Sequence, residues 1–349
     1  MLRRLEIHRS QGDERVLGRA VTPTRILREG RDGSPAVQYS DGSTEPSACL
    51  RCPDAPCIRF RAGELQPPGM LAFPGDGDTS VCPTGALDWP IDSGAGPKVT
   101  EERCVGCGLC VQRCPAGAIQ FTARGTAKVL DVDTRTLRPA RSDDGGKTRS
   151  AFEAAVRERR VALGSDATML TLYARLADAG RRIGPRFPNL LARNLLVTAG
   201  WHTAMRRAGD TNVRLDLLSQ RDDMICVAEV EFSDAVIDAP RSVLDGLAVL
   251  RSRYGVKPEV STGLVVASVL PNQRSEYWHV MTDIETALGL RVQTITVGAL
   301  VLLVWAGKAL THLPFGHLGS PSIRADIEKS LAERLSISLG CAGALEAPK

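Results

Sequence analysis

The sequence predicts two folded parts: a small α+β module built on an internal repeat, then an α/β domain whose mixed sheet is flanked by helices. Two observations predict it. Eight of the ten cysteines lie between Cys49 and Cys114, and their spacing recurs. Beyond residue 150 only two cysteines follow, and stretches with helical periodicity alternate with short apolar runs of strand length. The expected boundaries are 1–137 for the first part, 138–149 for a linker and 150–349 for the second.

The tightest cysteine run reads Cys104-Val-Gly-Cys107-Gly-Leu-Cys110-Val-Gln-Arg-Cys114-Pro115. This is C-x2-C-x2-C-x3-C-P, the spacing of bacterial-type iron–sulfur ligation. Three thiolates two residues apart wrap a short loop round one corner of a cubane. The fourth follows after three residues, and Pro115 fixes the dihedral at the turn. A zinc ribbon needs two C-x2-C pairs separated by a dozen or more residues, which is a different rhythm. Upstream stand Cys49-Leu-Arg-Cys52-Pro-Asp-Ala-Pro-Cys57 and then Cys82-Pro-Thr-Gly-Ala-Leu87. The latter nearly repeats Cys114-Pro-Ala-Gly-Ala-Ile119.

These residues resemble the two-cluster bacterial ferredoxins over about 49–125. The longer C-x2-C-x4-C of the first half is similar to the iron–sulfur subunits of multisubunit oxidoreductases. The resemblance implies two [4Fe–4S] clusters with crossed ligation, in which the fourth cysteine of each motif serves the other cluster. One cluster would take Cys49, Cys52, Cys57 and Cys114; the other would take Cys104, Cys107, Cys110 and Cys82. The departure is a stretch of 24 residues, Ile58 to Val81, between Cys57 and Cys82. Pro67-Pro68-Gly69 and Pro74-Gly75-Asp76-Gly77 mark it as a loop.

Within the first part, residues 1–48 carry short strand-like runs among turn formers, a hairpin-rich lead-in. Ala86 to Pro90 and Lys98 to Thr100 flank a Gly-rich turn, and Ile119 to Thr122 pairs with Lys128 to Val132. The linker, Arg138 to Lys147, is polar and aperiodic.

In the second part Ser150-Ala-Phe-Glu153 is a capping box ahead of a helix to about Leu163. A second helix spans about Ala167 to Ala179. A third follows Pro188 and runs to about Arg207. Val213 to Leu218 and Met224 to Phe232 read as an antiparallel hairpin turning at Gln220–Asp223. Then come helix Ala239–Tyr254 stopping at Gly255, strand Thr262–Leu270, helix Arg274–Leu288 stopping at Gly289, strand Arg291–Val297 and helix Ala299–Leu310. A last amphipathic helix covers Ile323 to Leu335. Trp201, Trp278 and Trp305 fall in helical patterns and read as core.

Alternation places Ile225, Val227, Glu229 and Glu231 on one face of a strand and Cys226, Ala228, Val230 and Phe232 on the other. Both faces begin apolar, as in a central strand. Buried carboxylates need a metal, a cation or solvent. The hairpin brings Asp216 beside Glu229, and three carboxylates at one sheet edge suit Mg²⁺, which prefers oxygen ligands. This order of elements resembles the restriction-endonuclease-like nuclease core over about 189–310. The resemblance implies that Asp216 and Glu229 are metal ligands and that the catalytic set is Asp216, Glu229 and Glu231. Glu231 stands where that family usually carries lysine.

The net charge of +4 is too mild to imply nucleic acid by itself. Between Arg157 and Arg214, however, eleven arginines face four acids. That surface suits an anionic partner such as DNA. With only seven lysines in the chain, it equally reflects arginine as the preferred cation. The start shows no apolar signal-peptide core. The most apolar run, Val297 to Ala306, is about half the length of a spanning helix. A soluble cytoplasmic protein is expected, a compartment that keeps thiols reduced. No Gly-rich phosphate loop follows a strand, so nothing points to NAD, FAD or ATP. Cys226 reads as core, Cys341 as a thiol in a Gly/Ala-rich tail, and the histidines show no ligand spacing.

Two functions are therefore expected. One is single-electron transfer or redox sensing with a redox partner protein, the second domain docking the partner. The alternative is a Mg²⁺-dependent DNA nuclease or DNA-binding protein with structural or regulatory clusters.

Overall fold

The structure is a computed structural model that describes residues 3–4, 26–29, 35–38, 54–89, 97–114, 118–121, 126–129, 165–210, 212–268, 271, 275–290, 292–307 and 310. The expected linker, the capping-box helix, the helix over 323–335, Cys49, Cys52 and Cys341 lie outside these residues. The chain divides into two compact units. One gathers residues 1–59 and 84–163; the other gathers 60–83 and 164–349.

In the first unit, β1 (Arg3–Arg4), β2 (Ile26–Glu29) and β3 (Pro35–Gln38) form an antiparallel sheet in that order. Strand β4 (Leu87–Asp88) pairs with β5 (Lys98–Val99), and β6 (Ile119–Phe121) pairs with β7 (Ala127–Val129), both antiparallel. Each Cys-Pro-x-Gly-Ala ending thus leads into the first strand of a ribbon, so the sequence repeat is also a structural one. A short helix, α1 (Leu109–Arg113), packs on β6. Val105, Leu109, Ile119 and Phe121 are buried together with Ala86 and Leu87.

The second unit is built on a five-stranded sheet of order β12–β11–β10–β9–β8. Its strands are β8 (His202–Met205), β9 (Leu217–Arg221), β10 (Met224–Glu231), β11 (Ser261–Ala267) and β12 (Val292–Thr296). β8, β9 and β10 are mutually antiparallel, whereas β10, β11 and β12 run parallel. The mixed sheet is as expected. β10 is its central strand, and Ile225, Cys226, Val227 and Ala228 are all buried, so both faces are covered.

Helices supply the cover. α2 (Ser165–Ile183) packs on α3 (Arg186–Thr198), which packs on β8, β9 and β10. α4 (Ala239–Tyr254) packs on β10 and β11, α5 (Glu276–Leu288) on β12, and α6 (Val297–Ala306) on α3. Pro188 sits in the first turn of α3, where its missing N–H leaves no bond unmade. Ser275 caps α5 by accepting from the Tyr277 N–H, and Thr296 caps α6 by accepting from the Ala299 N–H.

Three expectations need correction. α3 does not continue to Arg207: it ends at Thr198, Gly200 takes φ +98°, and the chain enters β8. A helical period over Trp201–Arg207 was indistinguishable from that of a short edge strand. The hairpin turns at Asp222–Asp223, with Asp222 at φ 51°, so its first strand begins at Leu217 rather than Val213.

The third concerns the stretch between Cys57 and Cys82. It is a loop, with two 3₁₀ turns at Ala62–Glu64 and Pro68–Met70, but residues 60–83 group with the sheet unit rather than with the cysteine-rich one. Met70 and Phe73 are buried in one core with Leu218, Val227, Leu247 and Val265. The Asp76 N–H donates to the Met205 carbonyl at 2.7 Å, and Gly75 bridges Arg206 antiparallel, so the segment borders β8. The Gly69 N–H donates to Gln220 Oε1 at 2.6 Å. Proline and glycine gave it the composition of a loop, but its apolar anchors give it a tertiary home.

Candidate iron–sulfur centre

The described cysteines of the first motif and its repeat sit at chain turns. Cys104 follows a single 3₁₀ turn, Glu101–Arg103, and Cys107 lies between Gly106 and Gly108. Both glycines take left-handed dihedrals, φ +79° and +78°. A β-carbon disfavours that conformation, so glycine at these two places lets the loop curl between three thiols. Cys110 lies in the first turn of α1 and Cys114 caps its C-terminus. Cys57, Cys107 and Cys114 are buried; Cys82, Cys104 and Cys110 are half-buried.

Main-chain donors point at the sulfurs. The Ala118 N–H donates to Cys114 Sγ at 3.2 Å and the Ala127 N–H donates to Cys104 Sγ at 3.3 Å. Such bonds favour a thiolate over a neutral thiol, and iron binds thiolate. No disulfide joins any two of the described cysteines. In chemistry the donor set of soft thiolates fits an iron–sulfur cluster, while the described cysteines are not drawn into a group of three or more that could hold a metal ion. Arg113 Nε also donates to the Pro56 carbonyl at 2.7 Å. The neighbours of Cys114 and Cys57 are thereby tied together.

The structure does bring two of the three predicted carboxylates together. Asp216 lies just before β9, and the β9–β10 register sets it opposite Glu229. Asp216 Oδ1 accepts from Asn189 Nδ2 at 2.8 Å and Oδ2 accepts from the Val230 N–H at 3.0 Å. Burial, then the adjacent Asp216 charge and hydrogen bond, push the Glu229 carboxyl up to about 9; Arg206 opposes this and Glu231 adds to it. Glu229 is therefore protonated near neutral pH and donates to Asp216, while its Oε1 is buried with no hydrogen-bond partner among the described residues. Glu231 instead accepts from the Ser233 N–H at 2.8 Å. Among the described residues no three His, Cys, Asp or Glu side chains are grouped to hold a metal ion. Nothing in this geometry lends support to the expected Mg²⁺ site at Asp216 and Glu229: Asp216 is hydrogen-bonded to Asn189 and to the Val230 N–H, and Glu231 bonds within its own turn.

This pair sets a pH dependence. A carboxyl whose folded value is raised is fully compatible with the fold below its unfolded value of 4.5 and penalises it increasingly up to about 9. Glu229→Gln keeps a donor for Asp216 and removes the titration. The variant is expected to gain stability over the wild type as pH rises from about 5 to about 9, read as denaturant midpoints across that range. Parallel profiles for the two proteins would refute the shared proton.

The remaining residues behave as structure. Cys226 is buried, and burial pushes its thiol up. Trp201 and Trp305 are buried, Trp201 donating through Nε1 to the Leu310 carbonyl at 2.9 Å. Trp278 lies half-buried against the core. His202 Nδ1 lies 2.7 Å from the Gly63 carbonyl. Among the described residues no helix is long and apolar enough to cross a membrane.

One pair escaped the sequence reading. Arg193 and Asn194 are wholly buried on α3, each at 0% exposure. Arg193 Nη1 donates to the Asp78 carbonyl at 2.6 Å, and Asn194 Nδ2 donates to the Ser80 and Val81 carbonyls at 2.9 and 3.0 Å. The clue was present: Arg193-Asn194 interrupts an otherwise apolar run from Leu190 to Val197.

Comparison with known proteins bears on the cysteine-rich stretch. Residues 97–120 match the model of the 4Fe-4S binding domain. An iron–sulfur protein of Rhodospirillum rubrum is 32% identical over 103 residues, covering 26% of this chain and 42% of the relative. The polyferredoxin-like subunit of an aliphatic sulfonate oxidoreductase from Pyrococcus furiosus is 30% identical over 92 residues, 26% of this chain and 40% of the relative. The electron transport protein HydN of Escherichia coli strain K12 is 33% identical over 78 residues, 22% of this chain and 31% of the relative. The chain thus spans under half the length of these curated relatives. No solved structure matches it. A 4Fe–4S binding domain is present, and the comparisons lend no support to a restriction-endonuclease-like second domain, to DNA or to Mg²⁺.

Proposed function

We propose that the chain is an electron-transfer protein that holds two [4Fe–4S] clusters and exchanges single electrons with a redox partner protein, the sheet unit serving to dock that partner. The observation that carries this reading is the repeated eight-cysteine pattern, with N–H donors on the sulfurs of Cys104 and Cys114. In the proposed assignment Cys49, Cys52, Cys57 and Cys114 hold one cluster, and Cys104, Cys107, Cys110 and Cys82 hold the other. The hydrogen bond from Arg113 to the Pro56 carbonyl supports the grouping of Cys114 with Cys57. When bound, the clusters supply one-electron redox couples whose potentials follow from charge, hydrogen bonds and solvent around the sulfurs.

The chain's own residues shape those couples. Cys57, Cys107 and Cys114 are sheltered from water, which disfavours the more negative reduced form, and the N–H donors of Ala118 and Ala127 favour it. The named relatives with electron-transport roles suggest a redox chain as the setting. The test is iron and acid-labile sulfide analysis of anaerobically purified protein, followed by a redox titration read by electron paramagnetic resonance. About eight irons and eight sulfides per chain and two one-electron steps are expected. Values near four with a single step would overturn the two-cluster reading.

A further inference from the structure

Arg193 is a full charge placed where the protein gains nothing from it by packing alone. It is wholly buried, and burial pulls its guanidinium down to about 10 against the opposing pull of Asp78 and Asp76. A buried charge is retained only with compensation. Its hydrogen bonds do not supply a carboxylate: Nη1 donates to the main-chain carbonyl of Asp78 and Nε to Asn194 Oδ1 at 2.9 Å. The nearby carboxylates are engaged elsewhere, since Arg186 Nη2 lies 2.6 Å from Asp76 Oδ1 and 3.2 Å from Asp78 Oδ2. Nη2 of Arg193 is buried with no hydrogen-bond partner among the described residues.

The place of this charge along the chain is the second observation. Arg193 and Asn194 hold three carbonyls, those of Asp78, Ser80 and Val81, within the four residues that precede Cys82. Burial works to raise the Asp78 carboxyl, but hydrogen bonds from Ser80 and the Arg193 and Arg186 charges hold it below its ordinary value. The segment leading to Cys82 is therefore fixed by side chains from α3, and the Arg193 guanidinium is fixed with it, in a group whose two arginines and two aspartates balance.

We infer that Arg193, with Asn194, is a positioning residue for Cys82, and that its charge favours the reduced state of the cluster Cys82 ligates. The inference rests on the two-cluster reading above. A cluster held by four thiolates is anionic, and one added electron deepens that charge. A guanidinium fixed on the segment that leads to one ligand stabilises the reduced form more than the oxidised form, which raises the potential of that cluster. Lysine is a poorer substitute, because it keeps the charge without the planar fork that reaches both Asp78 and Asn194.

The test is a redox titration of full-length protein carrying Arg193→Met, Arg193→Lys or Asp78→Asn, each with iron analysis. In Arg193→Met one of the two midpoint potentials is expected to fall by about tenfold in the reduction equilibrium, 59 mV for a one-electron couple. Arg193→Lys should recover part of that shift. Asp78→Asn keeps an acceptor for Ser80, removes a negative charge and should move the same potential upward. Opposite signs at Arg193 and Asp78 are not produced by a merely structural defect. Should Arg193→Met fail to fold, the Asp78→Asn and Arg193→Lys shifts still decide. Fully loaded variants with both potentials unchanged would overturn this inference. A wild type with one cluster would instead overturn the reading beneath it.

Discussion

Replacing Cys114 with alanine is expected to extinguish the same cluster as replacing Cys57, and a different one from replacing Cys110. Iron should fall from about eight to about four per chain in each variant. The paramagnetic signal that survives in Cys114→Ala should match the survivor in Cys57→Ala. The alternative is local ligation, in which Cys114 serves the site of Cys104, Cys107 and Cys110. The expectation follows the crossed assignment proposed above. Cys110 begins α1 and Cys114 ends it, so the helix carries the fourth cysteine away from the curled loop round Gly106 and Gly108. At that far end Arg113 grips the carbonyl of Pro56, next to Cys57. Each lost cluster should also cost the first unit order. Metal binding is folding free energy where the ligands are brought together only in the folded chain. Faster proteolysis of residues 84–129 should accompany the missing iron. Identical survivors in Cys114→Ala and Cys110→Ala would decide for local ligation.

How much of this was legible in the sequence differs between the two parts. The cysteine motif was read from spacing alone, because iron ligation fixes residue type and interval together. The ribbons at Leu87–Val99 and Ile119–Val129 followed from the same repeat. In the sheet unit, α4 and α5 were legible from their periodicity and from stops at Gly255 and Gly289. β8 was not, since four residues at a sheet edge carry too little pattern to compete with a helix running on from Leu196. The segment 60–83 was hidden for another reason. Its prolines and glycines describe its local path correctly, yet Met70 and Phe73 are placed by the core they enter, which is non-local information. The pairing of Asp216 with Glu229 was foreseen from the hairpin. The depth of its burial was not, because alternation along a strand cannot measure how far the Glu229 carboxyl is removed from water. Arg193 shows the same limit, as a buried charge whose purpose depends on where three distant carbonyls arrive.

Gly263→Ala is expected to destabilise the sheet unit by about 2–3 kcal/mol, although alanine ordinarily suits a strand interior better than glycine. The sign reverses because of how α4 meets the sheet. A β-carbon on Gly263 of β11 would fall against Val243 Cγ1, and one on Gly246 of α4 would lie 2.6 Å from Val227 Cγ1. Val227 and Gly263 are register partners, so a large residue on each element faces a glycine on the other. The helix rides close because these two contacts interlock. Val243→Ala alone leaves a cavity and should also destabilise, by about 1–2 kcal/mol. Combined with Gly263→Ala it vacates the space the new methyl needs, so the double variant should be more stable than the sum of the single losses predicts, as read from urea midpoints. Strict additivity would show that the interlock does not set the spacing. The consequence reaches the segment before Cys82. Met70 and Phe73 lie in the same core as Val243 and Val265, and they anchor the segment that ends at Cys82. Loosening the interlock should therefore also loosen that segment, read as faster amide exchange over residues 60–81 in the single variants, and the compensating double variant should restore its protection.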